Sequence, residues 1–163
     1  LMLLYHINFG FPFLGPGLGL LLPKGTKTRP RDEEAAKGID VFRSFSGPID
    51  GYREQCFYHD MPSAPGGDTC VLLRNRDLGL AVWIKYNVDQ LPFTTEWKCM
   101  ASGDFALGIE PANCHVEGKA KERREGTLQI LPAFGSAEFE LELGVLEGAE
   151  IGTFIQGSAL QLE

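Results

Sequence analysis

Short stretches in which apolar and polar residues alternate recur along most of this chain. The clearest covers residues 137–145, where Phe139, Leu141 and Leu143 are predicted to face a core while the glutamates between them face water. Alternation with a period of two is typical of a β-strand with one buried face. Comparable runs predict further strands at residues 53–59, 69–74, 79–86, 94–101, 105–110, 127–131 and 151–155.

Turn residues separate these runs, and helical periodicity is nearly absent. Polar or glycine-containing turns occur at residues 65–67, 75–77, 102–103 and 147–148, and one helical turn is predicted at residues 32–37 with Asp32 as its cap. Many short strands without a long helix favour a mostly β fold, an antiparallel β-sandwich, as one domain over residues 1–163. We predict a long apolar loop at residues 9–22 and a solvated turn at residues 119–124.

Composition restricts the function classes. The chain has 163 residues, of which 44% are hydrophobic, so it can bury a core. Its net charge of −7 argues against a nucleic-acid surface, and the apolar segment 9–22 is too short and too broken to cross a membrane as a helix. The cysteines lack the paired spacing of a zinc site, which predicts no metal and reduced thiols in the cytoplasm for Cys56, Cys70, Cys99 and Cys114.

One predicted strand places a carboxylate beside open space. In residues 105–110, Phe105, Leu107 and Ile109 share one face, whereas the other face carries two small residues followed by Glu110. Pro111 is then predicted to end the strand pairing. A floor of small side chains next to one acid suits general acid–base chemistry on a small polar ligand. A solvated glutamate at a strand end would give the same pattern.

A second candidate site lies near the start of the chain. Tyr5, Ile7 and Phe9 form one alternating set, and His6 and Asn8 fall together on the opposite face. These two residues could be a hydrogen-bonded structural pair beneath a loop. Alternatively, the histidine is the acid that complements a glutamate base, because one is cationic near neutrality and the other anionic.

Five blocks of sequence, in this order along the chain, carry a resemblance to a known family. They are residues 5–10, 48–55, 91–98, 108–115 and 117–128. In these blocks the chain resembles the aldose 1-epimerase (galactose mutarotase-like) family, and within it a poorly characterised epimerase-like branch. The resemblance covers the C-terminal part of such a protein, so it implies a galactose mutarotase-like supersandwich that is incomplete at its N-terminal side.

The resemblance also implies a reaction and a pair of catalytic residues. An aldose changes anomer by opening its ring, rotating about the C1–C2 bond and closing on the other carbonyl face. By family position Glu110 would be the base that takes the C1 hydroxyl proton, and His6 the acid that protonates the ring oxygen. The two would sit on opposite sides of the acetal. The partner would be a sugar, and the reaction requires no cofactor.

Other pocket residues are expected with alternatives left open. Glu54 would hydrogen-bond sugar hydroxyls or be a solvated strand acid, and Trp97 would stack on the sugar or pack in the core. Lys98 would reach an acidic or phosphorylated sugar. Asn8 would orient the catalytic histidine, and Asn113 would bind substrate or support the loop after the catalytic strand.

Two other function classes stay open. A non-catalytic carbohydrate-binding β-sandwich would use the same face and would keep binding sugar after Glu110→Gln, without accelerating anomer exchange. An interaction fragment without a site of its own would self-associate, because unpaired strand edges seek partners. The sequence leaves homo-oligomer formation open.

Overall fold

The computed structural model describes residues 1–163 and is mostly β, with two antiparallel sheets packed face to face as predicted. A five-stranded sheet has the order β1 (Ile7–Phe9), β8 (Ala106–Ala112), β7 (Phe93–Cys99), β4 (Gln55–Asp60) and β3 (Lys27–Pro30). A four-stranded sheet has the order β2 (Leu18–Leu21), β5 (Asp68–Asn75), β6 (Leu80–Asn87) and β9 (Leu141–Glu147). Three short α-helices, α1 (Glu33–Ala36), α2 (Lys119–Glu125) and α3 (Ala149–Gly157), and one 3₁₀ helix at Ile39–Val41 complete the fold.

The core lies between the two sheets. Val71, Leu73 and Ile84 of the four-stranded sheet pack in one cluster with Leu107 and Ile109 of β8. The alternation predicted for residues 105–110 therefore holds, with β8 presenting its apolar face to the core. The cluster is completed by loop and strand residues that include Leu14, Leu18, Leu20, Leu22, Phe45, Tyr86, Leu91 and Met100.

The segment predicted as an apolar loop is partly a strand. Residues 18–21 form β2, which pairs with β5 through Leu18↔Asn75 and Leu21↔Leu72. Leu14, like Leu18 and Leu20 of β2, is buried, so the apolar character of this segment is explained by its place in the core. Glycine and proline obscured the short alternation in the sequence.

Several local predictions near the C-terminal end are wrong. No strand forms at residues 127–131, and the strand expected at 137–145 begins only at Leu141. Residues 151–155 are helical, because Ile151, Phe154 and Ile155 follow the i, i+3, i+4 spacing and pack against the four-stranded sheet. Leu143 was expected to be buried but is 54% exposed on its edge strand.

One of the two helices α1 and α2 was predicted from the sequence. Asp32 caps α1 as expected, since its Oδ1 accepts the Ala35 N–H at 2.9 Å. The predicted solvated turn at residues 119–124 is instead α2, which ends at Gly126 in the left-handed conformation. None of the helices is long and apolar enough to cross a bilayer.

Candidate active site

The outer face of the five-stranded sheet, which points away from the core, carries the candidate site. Cross-strand partners in an antiparallel sheet project to the same side, so the register defines two rows of neighbouring side chains across this face. The first row consists of Arg29, Tyr58, Thr95, Glu110 and His6. The second row consists of Arg31, Cys56, Trp97, Gly108 and Asn8.

His6 and Glu110 are in direct contact at one end of the first row. His6 Nε2 lies 3.0 Å from Glu110 Oε1, and the two side chains are 47% and 3% exposed respectively. The pairing Ile7↔Ile109 produces this contact, because it brings the residue before β1 opposite the residue after Ile109. The structure thus brings together two residues that are 104 positions apart in the printed sequence.

Burial changes the acid–base properties of this pair. Desolvation raises the pKa of Glu110 above the usual glutamate range, while the nearby His6 works in the opposite direction and Glu54 adds a smaller raising effect. A carboxyl group with a raised pKa is a stronger base when ionised than an exposed glutamate. The buried carboxylate next to a half-exposed imidazole is therefore equipped to exchange protons with a ligand on the open side.

Gly108 makes room for this pair. A Cβ atom at this position would lie 2.7 Å from Glu110 Oε1, 3.1 Å from His6 Cε1 and 3.3 Å from Trp97 Cβ. A larger residue would push against the carboxylate, so the small side chain that the sequence predicted here leaves room for the pair. Pro111 does not end the pairing as expected. Its carbonyl accepts the Tyr5 N–H at 3.0 Å, which continues the ladder although proline has no N–H.

Trp97 and Glu54 adjoin the pair on the same face. The Trp97 ring meets the His6 ring edge-on with centroids 5.7 Å apart, and its Nε1–H donates to Glu54 Oε2 at 2.7 Å. Arg31 then donates to Glu54 Oε1 at 3.3 Å, and Asp32 pairs with the same arginine. Trp97 is thus an open-face residue fixed by its indole N–H, and Glu54 is oriented by two donors. Asn8 is also exposed on this face, one row from the pair.

Lys98 and Asn113 lie elsewhere. Lys98 projects to the core side of β7, where its Nζ donates to the carbonyl oxygens of Val41 and Ser44 at 2.9 and 2.6 Å. The proposal that it reaches a substrate is therefore corrected, since it is buried under a loop on the opposite side of the sheet. Asn113 accepts the Leu3 N–H through Oδ1 and donates through Nδ2 to Gln129, so it holds the N-terminal segment against the loop after β8.

Two residues of the face, Arg29 and Tyr58, were missed by the sequence analysis. Arg29 stacks over the Tyr58 ring with its guanidinium carbon 4.5 Å from the centroid, and its NH2 group lies 2.9 Å from His115 Nε2. The sequence signal was present, because cations at residues 27, 29 and 31 alternate with Thr28 and Pro30. It was not interpreted as a strand because the run has no apolar positions.

The face is exposed at His6, Asn8 and Arg29 and buried at Thr95, Tyr58 and Cys56. A surface cavity beside β2 of the other sheet is lined by residues such as Arg43 and Arg74 and includes neither His6 nor Glu110. Cys56, the one cysteine in the second row, is buried, and burial raises the pKa of its thiol to about 12, which keeps it protonated and unreactive.

The fold and face define an antiparallel β-sandwich protein with a paired histidine and glutamate on the open side of one sheet. The chain belongs to the family described as a domain of unknown function (DUF4432), whose model matches residues 1–145. A search of curated proteins finds no match.

A solved structure gives a closer comparison. The chain superimposes with a TM-score of 0.90, at 26% sequence identity, on a crystal structure described as a "putative aldose 1-epimerase" from Klebsiella pneumoniae subsp. pneumoniae. The match covers 98% of this chain and 42% of the other chain. The chain thus spans less than half the length of that protein and shares its aldose epimerase-like fold over nearly all of its own residues.

Proposed function

We propose that this protein is an aldose 1-epimerase-like isomerase that interconverts the α and β anomers of a sugar. The observation that carries the proposal is the contact of 3.0 Å between His6 Nε2 and the buried Glu110 carboxylate on an open face. The likeness to the Klebsiella protein supports the same reading. The function rests on the site and not on the fold alone, since one fold hosts many activities.

Glu110 is assigned as the base and His6 as the acid. Glu110 takes the proton from the C1 hydroxyl, the C1–O1 bond becomes a carbonyl, and the bond between C1 and the ring oxygen breaks. The ring oxygen receives a proton from His6. Rotation about C1–C2 and the reverse steps close the ring on the other carbonyl face, and the proton inventory returns to its starting state.

The contact between the two residues refines the expected geometry. The sequence reading placed acid and base on opposite sides of the acetal, whereas here they are neighbours. The C1 hydroxyl oxygen and the ring oxygen are bonded to the same carbon, so adjacent acid and base groups can each meet one of them. Sugar binding would then replace the direct contact by two contacts to the substrate.

Trp97, Glu54 and Asn8 are assigned to substrate binding. The exposed part of the indole offers an apolar surface for the C–H face of a sugar ring, in a position fixed by the Nε1–H contact to Glu54. Glu54 keeps acceptor capacity beyond its contacts to Trp97 and Arg31, which suits sugar hydroxyls. Asn8 lies beside Gly108 and within reach of the same face.

The test separates catalysis from binding. Anomer exchange of glucose, galactose and acidic aldoses is measured by one-dimensional NMR, and sugar affinity by titration, for the wild type and Glu110→Gln. The proposal expects exchange faster than buffer that falls by about 10²–10⁴-fold in the variant, with binding retained. Saturable binding without acceleration in the wild type would instead establish the carbohydrate-binding alternative.

A further inference from the structure

A row of cations follows the edge strand β3 on the face that carries the candidate site. Residues at alternate positions of a strand share a face, and Thr28 uses the inner face, where its Oγ1 meets His59 Nδ1 at 2.9 Å. Lys27, Arg29 and Arg31 therefore project on the outer face, at the opposite edge of the sheet from His6. A local concentration of positive charge is notable in a chain whose net charge is −7.

The two arginines of this row differ in their partners. Arg31 is neutralised, since Asp32 Oδ2 lies 2.9 Å and Glu54 Oε1 3.3 Å from its guanidinium. Arg29 forms no ion pair in the structure. Its guanidinium is exposed, stacks on Tyr58 and has one side-chain hydrogen-bond partner, His115. Arg29 thus keeps several N–H donors and a full charge available to a ligand.

A buried carboxylate fixes the position of Arg29 through His115. Glu122 is fully buried, and its Oε1 accepts the His115 backbone N–H at 3.0 Å and lies 3.4 Å from His115 Nδ1. Because a guanidinium can only donate, Nε2 accepts from Arg29, and the proton of the neutral ring lies on Nδ1, the nitrogen on the Glu122 side. The rings of Phe93 and Tyr58 pack against His115 at 4.1 and 4.8 Å, so the imidazole cannot turn away.

We propose that the sugar is anionic and that Arg29 binds its carboxylate or phosphate group, an inference that rests on the proposed isomerase function. A planar guanidinium held in place by stacking is suited to two parallel hydrogen bonds with such a group. Along the first row, three strand spacings separate Arg29 from Glu110, or roughly 14 Å between their Cα atoms. A sugar acid or sugar phosphate would bridge the two exposed ends of the row, above the buried Tyr58 and Thr95, with C1 at the His6–Glu110 end.

The charge distribution also orients the ligand. Glu110 lies at the end of the face that would receive C1, where its carboxylate repels an anionic group. Lys27 and Arg29 attract it at the opposite edge. One orientation is therefore favoured over its reverse, which gives the edge arginine a role in specificity distinct from the acid–base step.

Titration calorimetry and NMR with defined probes test this subsite. D-glucuronate, D-glucose 6-phosphate and neutral D-glucose are titrated into the wild type, Arg29→Gln, Arg29→Lys and Arg76→Gln. Arg76 is the control, because it is an exposed arginine in the turn after β5 and its loss changes the net charge equally. We expect Arg29→Gln to weaken binding of an anionic probe about 10- to 100-fold, with glucose affinity unchanged, and Arg29→Lys to restore part of the loss.

The outcomes separate this inference from the proposed function. If Arg29→Gln weakens the binding of glucuronate or of glucose 6-phosphate, the probe that is affected identifies the anionic group. A selective loss of affinity for that probe supports the subsite whether or not the protein exchanges anomers. Equal binding of charged and neutral sugars by the wild type overturns the subsite. An equal loss in Arg76→Gln, or no binding of either anionic probe, does so too. If the protein then accelerated anomer exchange of neutral sugars only, the proposed isomerase function would hold without the anionic subsite.

Discussion

Adding one methyl group at Gly108 tests the geometry of the acid–base pair without removing either of its members. An alanine Cβ would lie 2.7 Å from Glu110 Oε1. The carboxylate must retreat by about 0.8 Å to reach the ~3.5 Å of an ordinary contact. The backbone itself accepts alanine, because Gly108 is not among the glycines with positive φ.

The expected cost follows from that displacement. The contact between His6 and Glu110 is 3.0 Å long, so a shift of this size away from His6 lengthens it past hydrogen-bonding distance. A displacement of about 1 Å in a catalytic group is worth roughly 10²-fold in rate. We therefore expect Gly108→Ala to reduce anomer exchange about 10- to 100-fold, mainly in kcat. The free energy of unfolding should change by no more than about 2 kcal/mol, since alanine loses less backbone entropy than glycine in a strand and this gain offsets part of the cost of crowding.

Gly19→Ala is the matched control. Gly19 lies within β2 of the other sheet, and a Cβ there would have Arg74 O as its nearest neighbour at 4.0 Å. NMR exchange rates and urea denaturation of both variants provide the comparison, with the control expected to match the wild type. A folded Gly108→Ala protein that exchanges anomers at the wild-type rate would refute the placement of Glu110 as the base. A loss confined to KM would show obstruction of the ligand instead.

Three further predictions concern charge and capping. His6→Asn should raise the pKa of Glu110 further, because it removes the charge interaction with His6, whereas Glu54→Gln should lower it. Both shifts are read from the carboxyl chemical shift of Glu110 as the pH is varied. An unchanged titration in both variants would contradict the assignment. Burial raises the pKa of Glu96, so the native state holds that proton more tightly and the free energy of unfolding falls as pH rises from the unfolded value to the native one. Glu96→Gln should remove this contribution of Glu96 to the pH dependence, which is measured by urea denaturation of both proteins at pH 5 and pH 8. A variant less stable than the wild type at pH 8 would be the contrary result. Asp32→Ala should cost about 1 kcal/mol of stability by removing the cap of α1, while Asp32→Asn should cost less.

The parts of the site that follow from strand alternation could be predicted from the sequence. His6 and Asn8 on one face, and Gly108 and Glu110 on another, require only a period of two. That these faces are one surface depends on the pairing Ile7↔Ile109, which joins segments about a hundred residues apart and leaves no local pattern.

The failures have specific physical causes. Lys98 lies in a run with polar residues on both faces, because Glu96 and Thr94 are buried on the core side, so the pattern could not reveal which side faced outward. Lys98 was assigned to substrate for this reason. Arg29 was missed because β3 carries no apolar residue, and an edge strand needs none to pair.

The anomer-exchange rate of four proteins tests the central claim most directly: the wild type, His6→Asn, Glu110→Gln and the double variant, compared by NMR with one anionic and one neutral aldose. Acid and base acting as one unit predict acceleration by the wild type, a large loss in each single variant, and no further loss in the double variant. No acceleration by the folded wild type with either sugar, or single losses that multiply in the double variant, would contradict the account.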